Sequence, residues 1–430
     1  MEKARDVNAT NRRKFLKYMS AAGLAGLFLP RSLRAGGTLA KSRVVIVTNA
    51  KATTGSTINT TMVRQMVAEG VRSIGGLQDE GAVWKSLMTG VSASSKIGIK
   101  INCNNSAIPT HPAVVNAVID SLKQMSFSGT AFPENNIIVY DMSSGSLQNG
   151  GYVPNNTSTG VRYMGARDVG MSTTTYDCAG VQQHITALIT DTLDYLINIA
   201  VLKDHGAAGV TLCLKNHYGS SQNPELMHGN GCFPYPAALN SAAPIKQKQV
   251  LNMIDALYGV RSGGPEGAPQ FTANTILMSR DIVAVDYQGR KLLAENGWTS
   301  GNTAAYIDAA CTTYGLGTND PNNMEIVRLT GVTGANGSGA GKPSGMLLHQ
   351  NYPNPFNPVT NIAFEVDRAR HVAIEVVDMT GRVVSVLLDR EMPAGEYTVP
   401  FSGHGLASGA YVCALRSEGV QLAKTMMLLG

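Results

Sequence analysis

Short apolar runs alternate with segments of helical spacing between residues 41 and 330, and this alternation constrains the fold more than any other feature. Residues 44–48 are a continuous apolar run, as expected of a strand that is buried on both faces. Within 57–74, apolar residues recur every three or four positions, which is typical of an amphipathic helix. The alternation predicts a layered α/β domain with a largely parallel sheet over 41–330.

The same patterns predict the remaining elements of this domain. The further strands are expected at 96–101, 137–140, 196–202, 250–257 and 274–278, with a late edge strand at 325–329, and the further helices at 112–125, 184–195, 281–295 and 303–314. Thr110 or His111 is expected to cap the helix that Pro112 opens, since proline suits the first turn of a helix.

Composition excludes several classes of protein. With 430 residues, 43% of them apolar and 15% charged, the chain can bury a core, so wholesale disorder is excluded. No run of 18 apolar residues occurs, so no integral membrane segment is expected in the mature form. The net charge of +5 comes from residues 1–40; the remainder has 27 basic and 28 acidic residues. No nucleic-acid partner is therefore expected.

Residues 1–40 have the pattern of an export signal. The basic segment Asn-Arg-Arg-Lys-Phe-Leu-Lys at 11–17 precedes an apolar run over 18–29, which Pro30 ends. The paired arginines resemble the twin-arginine signal, which implies export of a folded protein, often around a cofactor. Cleavage is expected after Ala35 or Ala40. The alternative is an amphipathic helix or a membrane anchor, although the run is too short to span a bilayer.

The last residues differ in composition from the rest. A Gly/Ser-rich linker is expected at 331–345, followed over 346–430 by short alternating strands separated by glycine turns. This spacing predicts a small antiparallel Ig-like β-sandwich. The alternative for this region is an ordinary carbohydrate-binding or adhesive sandwich.

Four motifs in this region resemble the C-terminal sorting domain of type IX secretion. They are Asn-Tyr-Pro-Asn-Pro-Phe-Asn-Pro at 351–358, Val-Val-Asp-Met-Thr-Gly at 376–381, Ala-Gly-Glu-Tyr at 394–397 and Ser-Gly-Ala-Tyr at 408–411. Phe401 and Ser402 depart from the pattern, since the family often has Trp-Asp there. The two resemblances imply twin-arginine and type IX machinery as partners. They also imply a secreted or outer-surface location, reached through the periplasm.

The six cysteines show no clustered spacing. No two are separated by two or four residues, so neither an iron–sulfur cluster nor a structural zinc site is predicted. Two interpretations stay open. An exported chain permits a Cys178–Cys213 or Cys213–Cys232 disulfide, and buried free thiols are equally compatible with the sequence.

Polar residues gather where the predicted strands end. Lys100 and Asn102 follow the second strand, Asp141 closes the third, and Lys203 and His205 close the fourth. In folds of this class, ligands bind beyond the carboxyl ends of parallel strands. We therefore expect these side chains to share one cleft.

Several short motifs, in order along the chain, resemble domain of unknown function 362 over about 90–330. They are Lys-Ile-Asn at 100–102, Thr-His-Pro at 110–112, Lys-Asp-His at 203–205, Thr-Leu-Cys-Leu-Lys-Asn at 211–216, Gly-Gly-Pro-Glu-Gly at 263–267 and Asp-Ile-Val-Ala-Val-Asp at 281–286. Many relatives carry ferredoxin-like cysteine clusters, which this chain lacks. The resemblance implies a domain rather than a reaction.

The candidate residues divide by chemistry. Histidine titrates near neutrality and lysine holds carboxylate or phosphate as a point charge. The predicted catalytic residues are His205, Lys203 and Lys215; the predicted substrate-binding residues are Lys100, Asn102, Asn216 and Gly264; and the predicted metal ligands are His111, Asp141 and Asp286. The alternative for each is a structural ion pair or helix cap. His217 and His228 flank a polar loop and are expected at the surface.

These residues favour an enzyme that acts on a small anionic substrate, with a divalent metal or another cofactor of unknown identity. The strand-end Lys/His arrangement resembles that of lactate-racemase-type proteins, which implies a hydroxy-acid racemase or isomerase as one form of this hypothesis. An oxidoreductase is another form. The alternative is a non-catalytic ligand- or metal-binding surface protein, and a third hypothesis is a structural protein with a vestigial pocket. Dinucleotide-binding, phosphate-loop and nucleophile-elbow motifs do not occur.

Overall fold

The computed structural model describes residues 41–331, 346–351, 353–418 and 420–429. The predicted export signal at 1–40 and all but the first residue of the predicted linker lie outside these residues. None of the helices in the described ranges is long and apolar enough to cross a membrane.

The α/β region contains fifteen of the strands in the described part of the chain. They are β1 (Ser42–Thr48), β2 (Thr53–Thr54), β3 (Thr57–Ile58), β4 (Ile97–Lys100), β5 (Ser126–Phe127), β6 (Thr130–Ala131), β7 (Ile137–Asp141), β8 (Arg162–Gly165), β9 (Met171–Cys178), β10 (Val181–Thr186), β11 (Tyr195–His205), β12 (Gly209–Thr211), β13 (Gln249–Val260), β14 (Phe271–Ser279) and β15 (Met324–Thr330).

Ten α-helices accompany these strands in the same described region. They are α1 (Thr60–Gly75), α2 (Glu80–Leu87), α3 (Pro112–Leu122), α4 (Ser144–Asn149), α5 (Ala166–Val169), α6 (Cys213–Asn216), α7 (Tyr235–Ser241), α8 (Ala243–Lys248), α9 (Ile282–Glu295) and α10 (Tyr306–Thr312). His111 is the N-cap residue of α3 and Pro112 lies in its first turn, but the His111 side chain makes no capping hydrogen bond.

The main sheet is largely parallel, as the sequence predicts. Strands β8, β7, β4, β11 and β13 lie side by side and run parallel, and β15 runs parallel to β1. Strand β14 lies between β13 and β1 and is antiparallel to both. The predicted α/β class is therefore confirmed.

Two hydrophobic cores cover the two faces of this sheet. Along β11, Ile197 and Ile199 pack into the core that contains residues of α1, α2 and α3, while Leu196 and Ala200 pack into the core that contains residues of α7, α9 and α10. Successive residues of a strand face opposite sides of its sheet, so a continuous apolar run supplies apolar side chains to both cores.

The C-terminal region consists of antiparallel β-sheets, as predicted for a β-sandwich. Its strands are β16 (Leu347–Leu348), β17 (Val359–Val366), β18 (Arg370–Asp378), β19 (Val383–Met392), β20 (Gly395–Ser402), β21 (Gly409–Ser417) and β22 (Val420–Leu428). One sheet has the order β19-β18-β21-β22; the other three strands join the main sheet, because β20 pairs with β15 at Thr330. The strand predicted at 325–329 forms as β15, but its predicted place at the edge of the sheet is wrong, because β20 lies beyond it.

The predicted helix at 184–195 is also wrong. Strand β10 pairs with β9 in a two-stranded ribbon, a single π-helical turn follows at Leu188–Thr192, and β11 begins at Tyr195. The apolar spacing of this segment resembles a helix, but pairing with the Thr-rich strand β9 satisfies its backbone groups instead.

All six cysteines are free thiols in the structure. Five are buried, and Cys311 is partly exposed. Neither of the two disulfides that the sequence permits is formed.

Candidate active site

A cavity of about 250 Å³ lies at the carboxyl ends of β4, β7 and β11. Most of its lining residues carry polar or charged side chains. The lining residues are Lys100, Asn102, Asn104, Asp141, Met142, Ser146, Lys203, His205, Thr211, Lys215, Asn216, Tyr218, Gly219, Pro224, His228 and Pro265. The structure therefore brings together seven of the ten residues that the sequence singled out.

The strand ends and one short helix position these side chains. Lys100 is the last residue of β4 and Asp141 is the last residue of β7, and the two strands run parallel with adjacent ends. Strand β11 turns back as β12, which pairs Lys203 with Thr211 across the hairpin. Helix α6 follows directly and carries Lys215 to the same cavity.

Lys100 is held entirely by protein groups. Its Nζ atom lies 2.7 Å from Asp141 Oδ1, and it also donates to the Ile101 carbonyl and to Asn216 Oδ1. The other oxygen of Asp141 accepts a hydrogen bond from the Cys103 backbone N–H. Three acceptors match the three hydrogens of the ammonium group, so Lys100 and Asp141 form a neutralised pair in the wall of the cavity.

Lys203 and Lys215 are buried without a carboxylate partner among the described residues. Lys203 is 1% exposed and donates to Asn102 Oδ1 at 2.8 Å. Lys215 is 5% exposed; its Nζ lies 3.1 Å from His228 Nε2 and 3.8 Å from the centre of the Tyr218 ring. Burial lowers the pKa of each lysine to about 8. Both ammonium groups are therefore predominantly charged at neutral pH and give the cavity a positive potential.

His205 is a neutral hydrogen-bond donor rather than a base. Its Nδ1 atom accepts hydrogen bonds from the backbone N–H groups of Ala207 and Ala208, each at 3.2 Å. The hydrogen of the neutral ring must therefore lie on Nε2, which leaves Nε2–H as the group that the ring can offer to a ligand. Burial, together with Lys215 and His228, lowers the pKa of His205 to about 3.

Two histidines that the sequence places at the surface lie elsewhere. His217 is fully buried and hydrogen-bonds through its ring nitrogens to Ser220 Oγ and Gln249 Oε1. His228 is half-buried and stacks on His205 with ring centres 5.7 Å apart. Sequence reasoning missed His228 because the surrounding polar loop resembles a solvated segment. The nearby Lys-Asn-His-Tyr run after β12 was the only signal.

An unsatisfied hydroxyl also lies in the cavity wall. Thr211 is 4% exposed, and its Oγ1 atom has no hydrogen-bond partner among the described residues. A buried hydroxyl without a hydrogen-bond partner lowers the stability of the folded state. A bound molecule with a polar atom at this position would satisfy it.

Gly264 is near the cavity without lining it. Its backbone N–H donates to Asp204 Oδ2 and its carbonyl accepts from Gly206. A Cβ atom at this position would overlap the Asp204 carbonyl, so the segment requires glycine to pack against the end of β11. Its neighbour Pro265 lines the cavity instead.

The three predicted metal ligands lie in separate environments. Burial acts to lower the pKa of His111, but the charge of Asp255 and its hydrogen bond to Nδ1, 2.8 Å away, together outweigh burial and raise that pKa. Asp286 accepts from the backbone N–H groups of Cys213 and Leu214. Asp141 is paired with Lys100. In the described part of the chain, no group of three His, Cys, Asp or Glu side chains is arranged to hold a metal ion.

Comparison with protein families accounts for both structural regions. Residues 97–290 match the family described as "Domain of unknown function (DUF362)". All cavity-lining residues lie within this DUF362 match. Residues 350–428 match the "Secretion system C-terminal sorting domain", which indicates a secreted or cell-surface protein that engages the type IX secretion system. No curated protein matches the chain.

Solved structures give only remote similarities. A Thermotoga maritima protein is 10% identical with a TM-score of 0.35, over 56% of this chain and 60% of its own. An engineered protein is 13% identical with a TM-score of 0.15, over 90% and 93% of the two chains. An endo-beta-1,4-mannanase from Thermotoga petrophila is 8% identical with a TM-score of 0.13, over 74% and 71%. The chain thus spans less than two thirds of the first of these proteins.

Proposed function

We propose that the protein is a secreted or cell-surface enzyme that binds a small carboxylate or phosphate compound in this cavity. The enzyme would transfer a proton to or from the bound compound. One observation carries the proposal. Two buried lysines, Lys203 and Lys215, line the same cavity without a carboxylate partner among the described residues. An anionic group on the ligand would supply the missing counter-charge.

The donors around the cavity suit an anion. His205 offers Nε2–H, Thr211 offers an unpaired hydroxyl, and the lysines offer ammonium hydrogens. The Lys215–His228 pair supports an enzyme over a simple binding protein. Two ionisable groups in hydrogen-bond contact, each with a pKa lowered first by burial, are a common arrangement for proton transfer at neutral pH.

Calorimetric titration of the full chain with lactate and with inorganic phosphate tests the binding step. Lys203→Met should weaken the affinity at least about tenfold, because a hydrogen bond to a charged group contributes roughly 1.5–3 kcal/mol. The exposed Lys246, changed to Met, is the matched control and should bind as the wild type does. Equal affinity in the Lys203→Met protein, or no binding of either anion, would contradict the proposal.

Deuterium exchange separates the enzyme from the binding protein. The C2 hydrogen of bound lactate, or the methyl hydrogens of bound pyruvate, should exchange with D₂O, as followed by proton NMR, and Lys215→Met should abolish the exchange. Binding without exchange would instead support the non-catalytic alternative.

We further infer export through the twin-arginine pathway and the periplasm. The support is the Arg12-Arg13 pair in residues 1–40 together with the sorting domain at the other end of the chain. Changing both arginines to lysine should leave the precursor in the cytoplasm, as seen by cell fractionation. Unchanged secretion would contradict this route.

A further inference from the structure

We propose that Lys215 forms a covalent imine with a 2-oxo acid whose carboxylate is held by Lys203. The juxtaposition that carries this inference is a buried lysine, an acceptor histidine and a second lysine around one cavity. The inference rests on the proposed function, because it assumes that the cavity binds a small anion. It adds the substrate class and the chemical role of Lys215.

The surroundings of Lys215 favour an amine nucleophile over a structural cation. The side chain is 5% exposed, and its Nζ packs on the Tyr218 ring and contacts the neutral ring of His228. A lysine becomes nucleophilic when burial without an ion-pair partner favours the uncharged amine. The lowered pKa of Lys215, with burial as its first cause, agrees with this geometry.

His228 has the tautomer needed to accept a proton from Lys215. Its Nδ1 lies 3.0 Å from the carbonyl oxygen of Pro224, which can only accept, so Nδ1 carries the ring hydrogen. Its Nε2 therefore has a lone pair and accepts from Lys215 Nζ at 3.1 Å. This is the contact through which the ammonium group would lose its proton before attack.

The step balances as an ordinary condensation. The lone pair of Lys215 Nζ attacks the ketone carbon, a C–N bond forms, and the carbonyl π electrons move to oxygen. His205 Nε2–H, lying in the same cavity wall, hydrogen-bonds to that oxygen as its charge develops. A second amine hydrogen passes to that oxygen, and His228 returns to it the proton it took from Lys215. The oxygen leaves as water while the nitrogen lone pair forms the C=N bond, and the third amine hydrogen stays on the protonated imine.

The other two cavity lysines are placed for different tasks. Lys100 directs its ammonium group to Asp141, Asn216 and a backbone carbonyl, so it has no hydrogen left for a ligand. Lys203 has one protein acceptor, Asn102 Oδ1, and two remaining hydrogens for a carboxylate. The structure thus assigns charge recognition to Lys203 and covalent chemistry to Lys215.

Reductive trapping tests the inference directly. The full chain is incubated with pyruvate and sodium cyanoborohydride, and the product is analysed by intact mass and by peptide mapping. We expect one reduced pyruvate adduct on Lys215. Lys215→Arg, which keeps the positive charge but cannot form an imine, should give no adduct there. Lys246→Met, the exposed control, should be labelled like the wild type.

The outcomes distinguish this inference from the proposed function. Calorimetric binding of pyruvate without an adduct, or an adduct that persists in the Lys215→Arg protein, overturns imine formation and leaves the anion site standing. If neither the wild type nor any variant binds lactate or phosphate, both imine formation and the proposed function are overturned. Labelling at Lys203 in place of Lys215 overturns the assignment of roles. Labelling at Lys215 that Lys203→Met reduces at least tenfold supports the whole inference.

Discussion

The three lysines of the cavity are alike in burial and different in what their ammonium groups contact. Lys100 is neutralised by Asp141. Among the described residues, the Lys203 ammonium group hydrogen-bonds to an amide oxygen, and that of Lys215 contacts a histidine nitrogen and an aromatic ring. A charge removed from water without a partner is unfavourable, so a bound anion would become part of the electrostatic balance.

Anion binding should weaken as the pH rises through about 8. Burial lowers the pKa of both Lys203 and Lys215 to about 8, so each loses its proton and its charge above that value. Lactate is a suitable probe, since its own charge is constant over this range. Calorimetry between pH 6 and pH 10 should show full affinity at the acidic end and at least about a tenfold loss at the alkaline end. A flat profile would remove both lysines from the binding step.

Gly219→Ala should destabilise the protein by roughly 1–3 kcal/mol. A Cβ atom at Gly219 would lie 2.8 Å from Asp141 Oδ1 and 2.9 Å from Lys100 Nζ, and would push apart the ion pair in the cavity wall. Urea unfolding measures the change. Gly301→Ala is the matched control, because a Cβ at Gly301 meets nothing within 4 Å. Equal unfolding free energies for the two variants would show that Lys100 and Asp141 move to accommodate the added Cβ atom without a loss of stability.

At the scale of elements, one short helix depends on a distant carboxylate. Helix α6 brings Lys215 and Asn216 to the cavity, and its first two backbone N–H groups donate to Asp286 on α9. The sequence interpretation of Asp286 as a metal ligand followed from its chemistry. The structure shows a capping residue that orients the helix carrying Lys215.

Asp286→Asn should flatten the dependence of stability on pH between about 4 and 7. Burial raises the pKa of Asp286 to about 7, against 3.8 when exposed. Between these values the folded state holds one more proton than the unfolded state, so the unfolding free energy of the wild type falls as pH rises. The change is on the order of 3 kcal/mol. Urea unfolding at several pH values measures it, and a parallel decline in the Asn variant would assign the slope to other groups.

The sequence predicted which residues at the strand ends reach the cavity better than it predicted which loop residues do. Lys100, Asp141 and Lys203 close apolar runs, and the rule that parallel strands end together was enough to bring them to one cleft. His228 could not be found this way. It reaches the cavity on a loop of short 3₁₀ turns that begin at Pro224 and Asn230, and no apolar periodicity marks where such a loop folds back.

For the molecule as a whole, the sequence predicted the class of fold. It did not predict that strands of the α/β region and of the C-terminal region would pair in one sheet. Alternating apolar runs and short turns were sufficient to predict an α/β region followed by β-sheets. The pairing of β15 with β20 joins residues 330 and 396. In the sequence, a Gly/Ser-rich segment of the kind that separates domains and four further strands lie between them. Long-range pairing of this type depends on tertiary context that local patterns do not encode.

The whole chain should contain six reactive thiols once unfolded. Since all six cysteines are free, a thiol reagent in denaturant should titrate six groups. In the native protein, the partly exposed Cys311 should react first and the five buried thiols far more slowly. Mass analysis without reductant provides the check, and a mass lower by two hydrogens would indicate a disulfide.

The continuity of the main sheet into the C-terminal strands has a consequence for solubility. A parallel sheet that ended at β15 would present a row of unpaired amides and carbonyls, the kind of template on which chains assemble into aggregates. In this molecule β20 begins to cover that row, and β16 and β17 extend the sheet outward from it. The region that matches the sorting domain thus covers part of the β15 edge, and we expect a chain cleaved before β16 to aggregate more readily because that edge would be exposed.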